Sequence, residues 1–362
     1  MYLKRIKISG FKNISEAEIE FSSKLNCITG MNGSGKTNLL DAIYYLSMTK
    51  SYFLNTDMHT IAYNRDLCRV SGEYARDDDS LENISITMER EGLKHIKRNT
   101  KSYNRLSEHI GLIPIVMVSP YDTCLINESG DDRRKFINSI LSQLDKEYLR
   151  KVQNYNHLLQ QRNRHLKSQD VNEELLETFS QRMSANASYI FYKRAEFTSL
   201  LMPIADKYYK MLSGGKESIS MIYKSDLQEG TLVDLLKISR TRDQALKYTT
   251  CGIQRDDLQF YMDNHPYRIS GSQGQQKSFL ISLKLAQFEI MRDIYKRAPL
   301  LLLDDVFDKL DMERVEALLN LVSSNLFGQI FITDSNKVRV EGILNKINGN
   351  SSSFEIKSGA VI

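Results

Sequence analysis

Short apolar and polar positions alternate through residues 2–9 and 17–21, and 25–29 is a denser apolar run; each is broken by polar or glycine residues. This spacing predicts three strands. The third run stops at Gly30, and beyond a glycine-rich turn Leu39, Leu40, Ile43 and Leu46 recur at helical spacing, so the unit reads as strand, glycine loop, helix. Strand-like runs follow at 68–74 and 84–89, and 113–118 reads as a buried strand that ends at Pro120. The acidic triplet Asp77, Asp78, Asp79 between two of these is expected at a solvated hairpin tip, since a calcium loop needs further ligands at set spacing.

From 131 to 211 the pattern changes to long, charged, leucine-dotted segments almost free of glycine and proline, which predicts several helices punctuated at their end by Pro203, Gly214 and Gly215. Strand patterns return from 218 and at 257–262. A second glycine-rich turn, an amphipathic helix over 278–296, an apolar strand at 300–303 and a buried strand at 330–333 complete the chain. Two halves of an α/β domain therefore flank a mainly helical insertion, with no internal repeat or low-complexity tract.

Composition narrows the class without naming a function. The chain has 362 residues, 41% hydrophobic and 26% charged, as in a globular protein with a sizeable core. No apolar run approaches the ~18 residues of a membrane span, and the opening MYLKRIKISGFKNI lacks the apolar stretch of a signal peptide, so the expected location is cytoplasmic with no membrane partner. Cys27, Cys68, Cys124 and Cys251 are scattered, with no C-x-x-C pair to suggest a zinc ribbon or a disulfide framework. A net charge of +4 permits nucleic-acid binding but does not argue for it.

The chemistry is more specific. Residues 30–37, GMNGSGKT, satisfy G-x-x-x-x-G-K-[ST] between a strand and a helix. Gly30, Met31, Asn32, Gly33, Ser34 and Gly35 would turn backbone N–H groups onto phosphate oxygens, Lys36 would reach the β and γ phosphates, and the Thr37 hydroxyl would coordinate magnesium. The segment 299–311, PLLLLDDVFDKLD, is a strand apolar on both faces that ends in two carboxylates at a ligand crevice. Asp304 is the candidate to hold magnesium through water, and Asp305 the candidate general base for the attacking water. Between them SGSQGQQKS, 270–278, precedes a helix; by itself it reads as a loop and N-cap, or as a second anion site at a helix terminus.

With these residues in order, the chain resembles the ATP-binding-cassette superfamily and, within it, the RecF family. Ser272, Gln273, Gly274 and Gln275 are similar to the cassette signature S-x-G-Q, and Leu310 with Asp311 to the loop after a Walker B strand. The opening I-x-G-F-K-N, GMNGSGKTNLLDAI, SPYDTCLI, the run Arg133 to Phe136, QRDDL from Gln254, and SQGQQKSFLISLKLA extend the resemblance over nearly the whole chain. It implies an α/β ABC-type P-loop ATPase head, 1–119 with 245–362, carrying an inserted mainly helical lobe at 120–244. It implies ATP and magnesium as cofactors and an ATP-dependent homodimer in which Ser272, Gly274 and Gln275 of one subunit cover the nucleotide held by Lys36 and its loop in the other. Slow hydrolysis, with Asp305 and Lys36 catalytic, would act as a switch on a clamp for single-stranded and gapped or junction DNA, working with RecO and RecR to load RecA in repair, replication and the SOS response.

The chain departs from the family pattern at Phe53 and Leu54, where Arg or His is common, at Asp41 in place of Glu, and at Ile253 and Gln254 in place of Pro-His. Thr333 and Asp334 stand where many cassettes carry a histidine near the γ-phosphate, and no residue is assigned that role. Candidate DNA contacts are Lys94, Lys97, Arg98 and Lys101; Arg133, Arg134 and Lys135; Arg162, Arg164 and Lys167; and Arg240 with Arg242, each cluster by itself readable as a solvated face. The alternative is the head of an SMC or Rad50-like ATPase. Only ~130 residues separate Pro120 from Thr250, enough for helical arms of roughly 100 Å at most, and no sustained heptad is present.

Overall fold

The computed structural model describes residues 1–362 apart from 79, 216, 325, 347–349 and 362, so Asp79 of the acidic triplet lies outside the described residues. β1 (Tyr2–Phe11) pairs antiparallel with β2 (Ile14–Glu20), and β3 (Leu25–Thr29) leads into the glycine loop and α1 (Lys36–Met48). A register shift between Leu3 and Arg5 lets Leu3, Ile6 and Ile8 all face inward. β4 (Leu67–Ala75) and β5 (Leu81–Glu89) form the hairpin whose turn carries Asp77 and Asp78. β6 (Lys94–Arg98) and β7 (Lys101–Ser102) turn the first basic cluster into strand, and β8 (Ile115–Val118) follows.

The insertion contains α2 (Cys124–Asn127), α3 (Gly130–Leu144), α4 (Lys146–Leu166) and α5 (Glu173–Ser213). Ser129, Asp145 and Asn172 cap the last three, each side chain accepting from a first-turn N–H. Pro203 does not end α5. It removes one i→i−4 bond, but Leu201, Ala205, Tyr208, Tyr209 and Leu212 continue a buried face through it, and the helix stops only at Gly214, whose φ is 72°. At 41 residues α5 is about 60 Å long.

β9 (Ile219–Lys224), α6 (Leu232–Ile238), α7 (Arg240–Leu246), β10 (Asp257–Met262), β11 (His265–Pro266) and α8 (Tyr267–Ser270) lead to α9 (Gln273–Tyr295). The chain then runs through β12 (Leu300–Asp304), α10 (Met312–Val322), β13 (Ile330–Asp334), α11 (Lys337–Lys346), β14 (Ser351–Lys357) and β15 (Ala360–Val361).

Two compact units result, Met1–Asp122 with Leu280–Ile362, and Thr123–Phe279. The return to the first lobe, expected at 245, falls later because β10 pairs along its whole length with β9 and keeps that stretch in the second unit. In the first unit an antiparallel sheet, β2-β1-β4-β5-β6-β7, and a largely parallel one, β15-β14-β3-β13-β12-β8, enclose α1. Leu39 to Met48 of that helix are all buried. The second unit holds a three-stranded sheet, β11-β10-β9, with its helices. Among the described residues no helix is long and apolar enough to cross a membrane.

Candidate nucleotide-binding site

β3, β13, β12 and β8 run parallel, so their carboxyl ends share one rim, where ligands of open α/β sheets bind. Gly30 ends β3 at a φ of 152° and must be glycine, since a Cβ there would lie 2.4 Å from the Ile356 carbonyl oxygen. Gly33 and Gly35, at φ 78° and 118°, bend the chain in conformations that favour glycine. A cavity of about 280 Å³ opens beside them, lined by Asn32, Gly33, Gly35, Lys36, Thr37, Asn38 and Asp305. Met31 is exposed on the rim, while Ser34 is buried behind the loop.

The Lys36 ammonium lies back over its own loop, donating to the Gly30 and Met31 carbonyls at 2.9 and 3.2 Å. Thr37 donates to the Asp304 carboxylate, its hydroxyl 3.0 and 3.1 Å from the two oxygens, so a residue of α1 and the end of β12 meet across 267 positions of sequence. Thr333, at the end of β13, completes the group: its hydroxyl donates to Asp304 at 2.8 Å and accepts from the Asp305 N–H at 3.0 Å. Asp305 has a φ of 43°, a left-handed conformation uncommon outside glycine, and lines the cavity. Burial pushes the Asp304 carboxyl above the ordinary carboxylate range; the Thr333 bond opposes this, the Asp305 charge adds to it, and Thr37 and Lys36 oppose it.

Thr37 and Asp304 offer a hydroxyl and a carboxylate, the oxygen donors magnesium favours. Among the described residues no group of three or more His, Cys, Asp or Glu side chains is placed to hold a metal, so an ion here would take its other ligands from phosphate and water.

Ser272, Gly274 and Gln275 sit at the start of α9 in the second unit. Ser272 and Gln275 make a reciprocal cap: the Ser272 N–H donates to the Gln275 side chain at 2.7 Å, and the Gln275 N–H to the Ser272 hydroxyl at 3.3 Å. This cap starts the helix at Gln273, ahead of the expected 278. The Gln275 amide also donates to Glu217 at 2.6 Å.

Thr333 has no role assigned from sequence, and Asn38 and Asn13 are not singled out there; Asn13 accepts from Asn38 at 2.7 Å. Only the position of Thr333 at the end of a buried strand could have signalled it. At the departures from the family pattern, Asp41 is buried and takes Lys12 at 2.6 Å, the Ser51 hydroxyl at 2.6 Å and the Tyr52 N–H at 2.7 Å. Phe53 lies under the Lys12 ammonium, 5.2 Å from its ring centre.

Several candidate DNA contacts are taken up internally. Arg162 is buried against Asp243 at 2.8 Å, Lys94 is paired with Asp57 at 2.6 Å, Arg133 makes a fork with Asp257 at 2.7 and 3.2 Å, and Arg240 reaches Glu173 at 2.6 Å. Arg98 is held by Glu82, and Arg134 donates to the Asp256 carbonyl at 2.8 Å. Lys97, Lys101, Lys135, Arg164, Lys167 and Arg242 remain exposed.

The RecF/RecN/SMC N terminal domain family matches residues 2–351. A DNA replication and repair protein RecF of Bacteroides fragilis is 44% identical over 362 residues, covering 100% of this chain and 98% of its own length. This chain belongs to the RecF family. Another RecF, from Flavobacterium johnsoniae, is 41% identical over 348 residues, 95% of this chain and 97% of its own. A solved structure of the recombination mediator protein RecF-ATP in the RecFOR pathway aligns with a TM-score of 0.89 at 29% identity, covering 100% of this chain and 97% of that one. A Smc head domain from Pyrococcus furiosus aligns at 0.58 with 16% identity, a likeness of fold alone. The architecture is thus that of a RecF-type P-loop ATPase head with an inserted helical region.

Proposed function

We propose that this RecF-family protein is a weak ATPase that uses ATP to control DNA binding in recombinational repair. The observation that carries the reading is the Thr37–Asp304 pair, bordered by Lys36 and Asp305, at the mouth of a glycine loop opening on a cavity of about 280 Å³. Loop N–H groups and Lys36 hold the phosphates, and on ATP binding the Lys36 ammonium exchanges carbonyl partners for phosphate oxygens. Thr37, and Asp304 through water, would hold magnesium, which would supply positive charge against the phosphates when bound. Asp305 accepts a proton from a water whose oxygen bonds to the γ-phosphorus as the bond to the bridging oxygen of ADP breaks, leaving ADP and phosphate.

The finer reading is an ATP-driven homodimer in which Ser272, Gly274 and Gln275 of a second subunit cover the bound nucleotide, clasping single-stranded, gapped or junction DNA and acting with RecO and RecR to load RecA. The exposed Lys97, Lys101, Lys135, Arg164, Lys167 and Arg242 are the phosphate contacts this reading needs. Sedimentation of the purified protein with a gapped DNA, with and without ATP and magnesium, tests both levels. An ATP-dependent dimer that holds DNA supports the clamp; ATP binding that changes neither oligomeric state nor DNA binding leaves a nucleotide-binding fold and removes the repair function.

A further inference from the structure

Segments distant in sequence converge behind the phosphate loop, all within the first unit. β14 runs parallel to β3, from Ser351 opposite Leu25 to Glu355 opposite Thr29, and so delivers the turn that follows it to the start of the loop. That turn is the two-residue link Ser358–Gly359, with φ 48° and 82°, before β15. The Gly359 N–H donates to the Ser34 carbonyl at 2.8 Å. From the opposite turn, between β1 and β2, the Asn13 carboxamide donates to the same carbonyl at 3.4 Å and accepts from Asn38 at 2.7 Å.

The approach is close enough to exclude side chains. A Cβ on Gly359 would lie 2.2 Å from the Asn13 carbonyl oxygen, and one on Gly35 would lie 3.0 Å from the Asn13 side-chain oxygen. The Ser34 side chain gives no comparable hold, since its buried hydroxyl has no hydrogen-bond partner among the described residues.

A trans peptide unit is planar, with its C=O and the following N–H pointing in opposite directions. Holding the Ser34 carbonyl toward Gly359 and Asn13 therefore turns the Gly35 N–H the other way, and Gly35 lines the cavity. We infer that Gly359 and Asn13 are positioning residues of the nucleotide site, clamping the Ser34–Gly35 peptide so that a phosphate-binding N–H faces the cavity before nucleotide arrives. The Ser358–Gly359 turn lies beyond the family match, which ends at 351. The inference rests on the ATP reading and extends it to a part of the chain distant from the loop in sequence.

The test uses the full chain and magnesium-ATP, measuring affinity by calorimetric titration and turnover by steady-state hydrolysis for wild type, Gly359→Ala and Asn13→Ala. A misdirected N–H is expected to weaken ATP and ADP binding by about tenfold. KM should rise in step while kcat stays within about threefold, because the loop holds substrate and transition state alike. A purely structural role would lower the melting midpoint of the nucleotide-free protein and leave the affinity of the folded chain unchanged. Wild-type affinity in both variants, or a loss confined to kcat, overturns the inference. Should Gly359→Ala not fold, Asn13→Ala decides by the same criteria. If the wild type itself binds no ATP, the ATP reading fails first and takes this inference with it.

Discussion

The Thr333 hydroxyl donates a 2.8 Å hydrogen bond to the Asp304 carboxylate, and the same oxygen accepts the Asp305 N–H at 3.0 Å. One side chain on β13 thus fixes both acidic residues at the end of β12: the rotamer of the first and the left-handed backbone of the second. Thr333→Val keeps the shape and removes the hydroxyl, and with it the hydrogen bonds to both Asp304 and Asp305, at a cost of about 1–3 kcal/mol. Hydrolysis is expected to fall at least about tenfold, and Thr333→Ser to recover most of it. Turnover of Thr333→Val equal to wild type would show that Asp304 and Asp305 orient without it.

Asp305 and Lys36 should separate kinetically. Asp305→Asn is expected to bind ATP within a few-fold of wild type and to hydrolyse it about a hundredfold more slowly, the range for losing a general base. Lys36→Ala should weaken ATP binding by about ten- to a hundredfold, the worth of one charge-assisted bond. Titration calorimetry and phosphate release read the two effects independently.

Ser272→Ala is expected to leave ATP binding by the single subunit intact and to block ATP-driven dimerisation, read by sedimentation velocity. It also removes a helix cap worth about 1 kcal/mol, so its melting midpoint must be followed alongside. Normal dimerisation by both this variant and Lys36→Ala would rule out the shared site.

Arg162 and Arg164 lie in one basic cluster of the sequence but should behave oppositely. Arg162 is fully buried against Asp243, which also accepts from Thr250 at 2.7 and 2.8 Å. Arg162→Met strands that carboxylate and should cost about 3–5 kcal/mol. Arg164→Ala should leave the melting midpoint unchanged and weaken DNA binding, most visibly at low salt.

His109 gives the fold a pH dependence. Its ring is buried, with Nε2 2.7 Å from the Leu46 carbonyl oxygen and Nδ1 3.3 Å from the Tyr103 hydroxyl. Burial holds its pKa below the ordinary 6.5, opposed by the Leu46 bond. Because the unfolded chain takes up this proton at a higher pH than the folded one, the stability contributed by neutral His109 is complete above 6.5 and is lost as pH falls toward the depressed folded value. The slope is at most about 1.4 kcal/mol per pH unit. Melting midpoints of wild type should hold above about pH 6.5 and drop as pH falls below it, and those of His109→Gln should drop less.

The sequence by itself determined what depends on neighbours along the chain. The glycine loop, its lysine and its threonine are contiguous, because a backbone cradle for phosphate is built from successive peptide units. A continuous apolar run marked β3, a strand-like pattern marked β10, and four leucines before two aspartates marked β12. Helical spacing marked α1, since that face must be buried whatever packs on it.

Only the tertiary structure decided which polar groups meet. The role of Thr333 comes from Asp304 and Asp305 on the neighbouring strand, 29 and 28 positions away, and that of Gly359 from Ser34 at the other end of the chain; neither pairing can be read from local sequence. Lys94, Arg133 and Arg162 read as surface charge until Asp57, Asp257 and Asp243 are brought beside them. Pro203 reads as a helix end until burial on both sides carries α5 past the missing N–H. In each case periodicity reports which face is buried, but the partner of a charge or hydroxyl is set by distances that only the folded chain fixes.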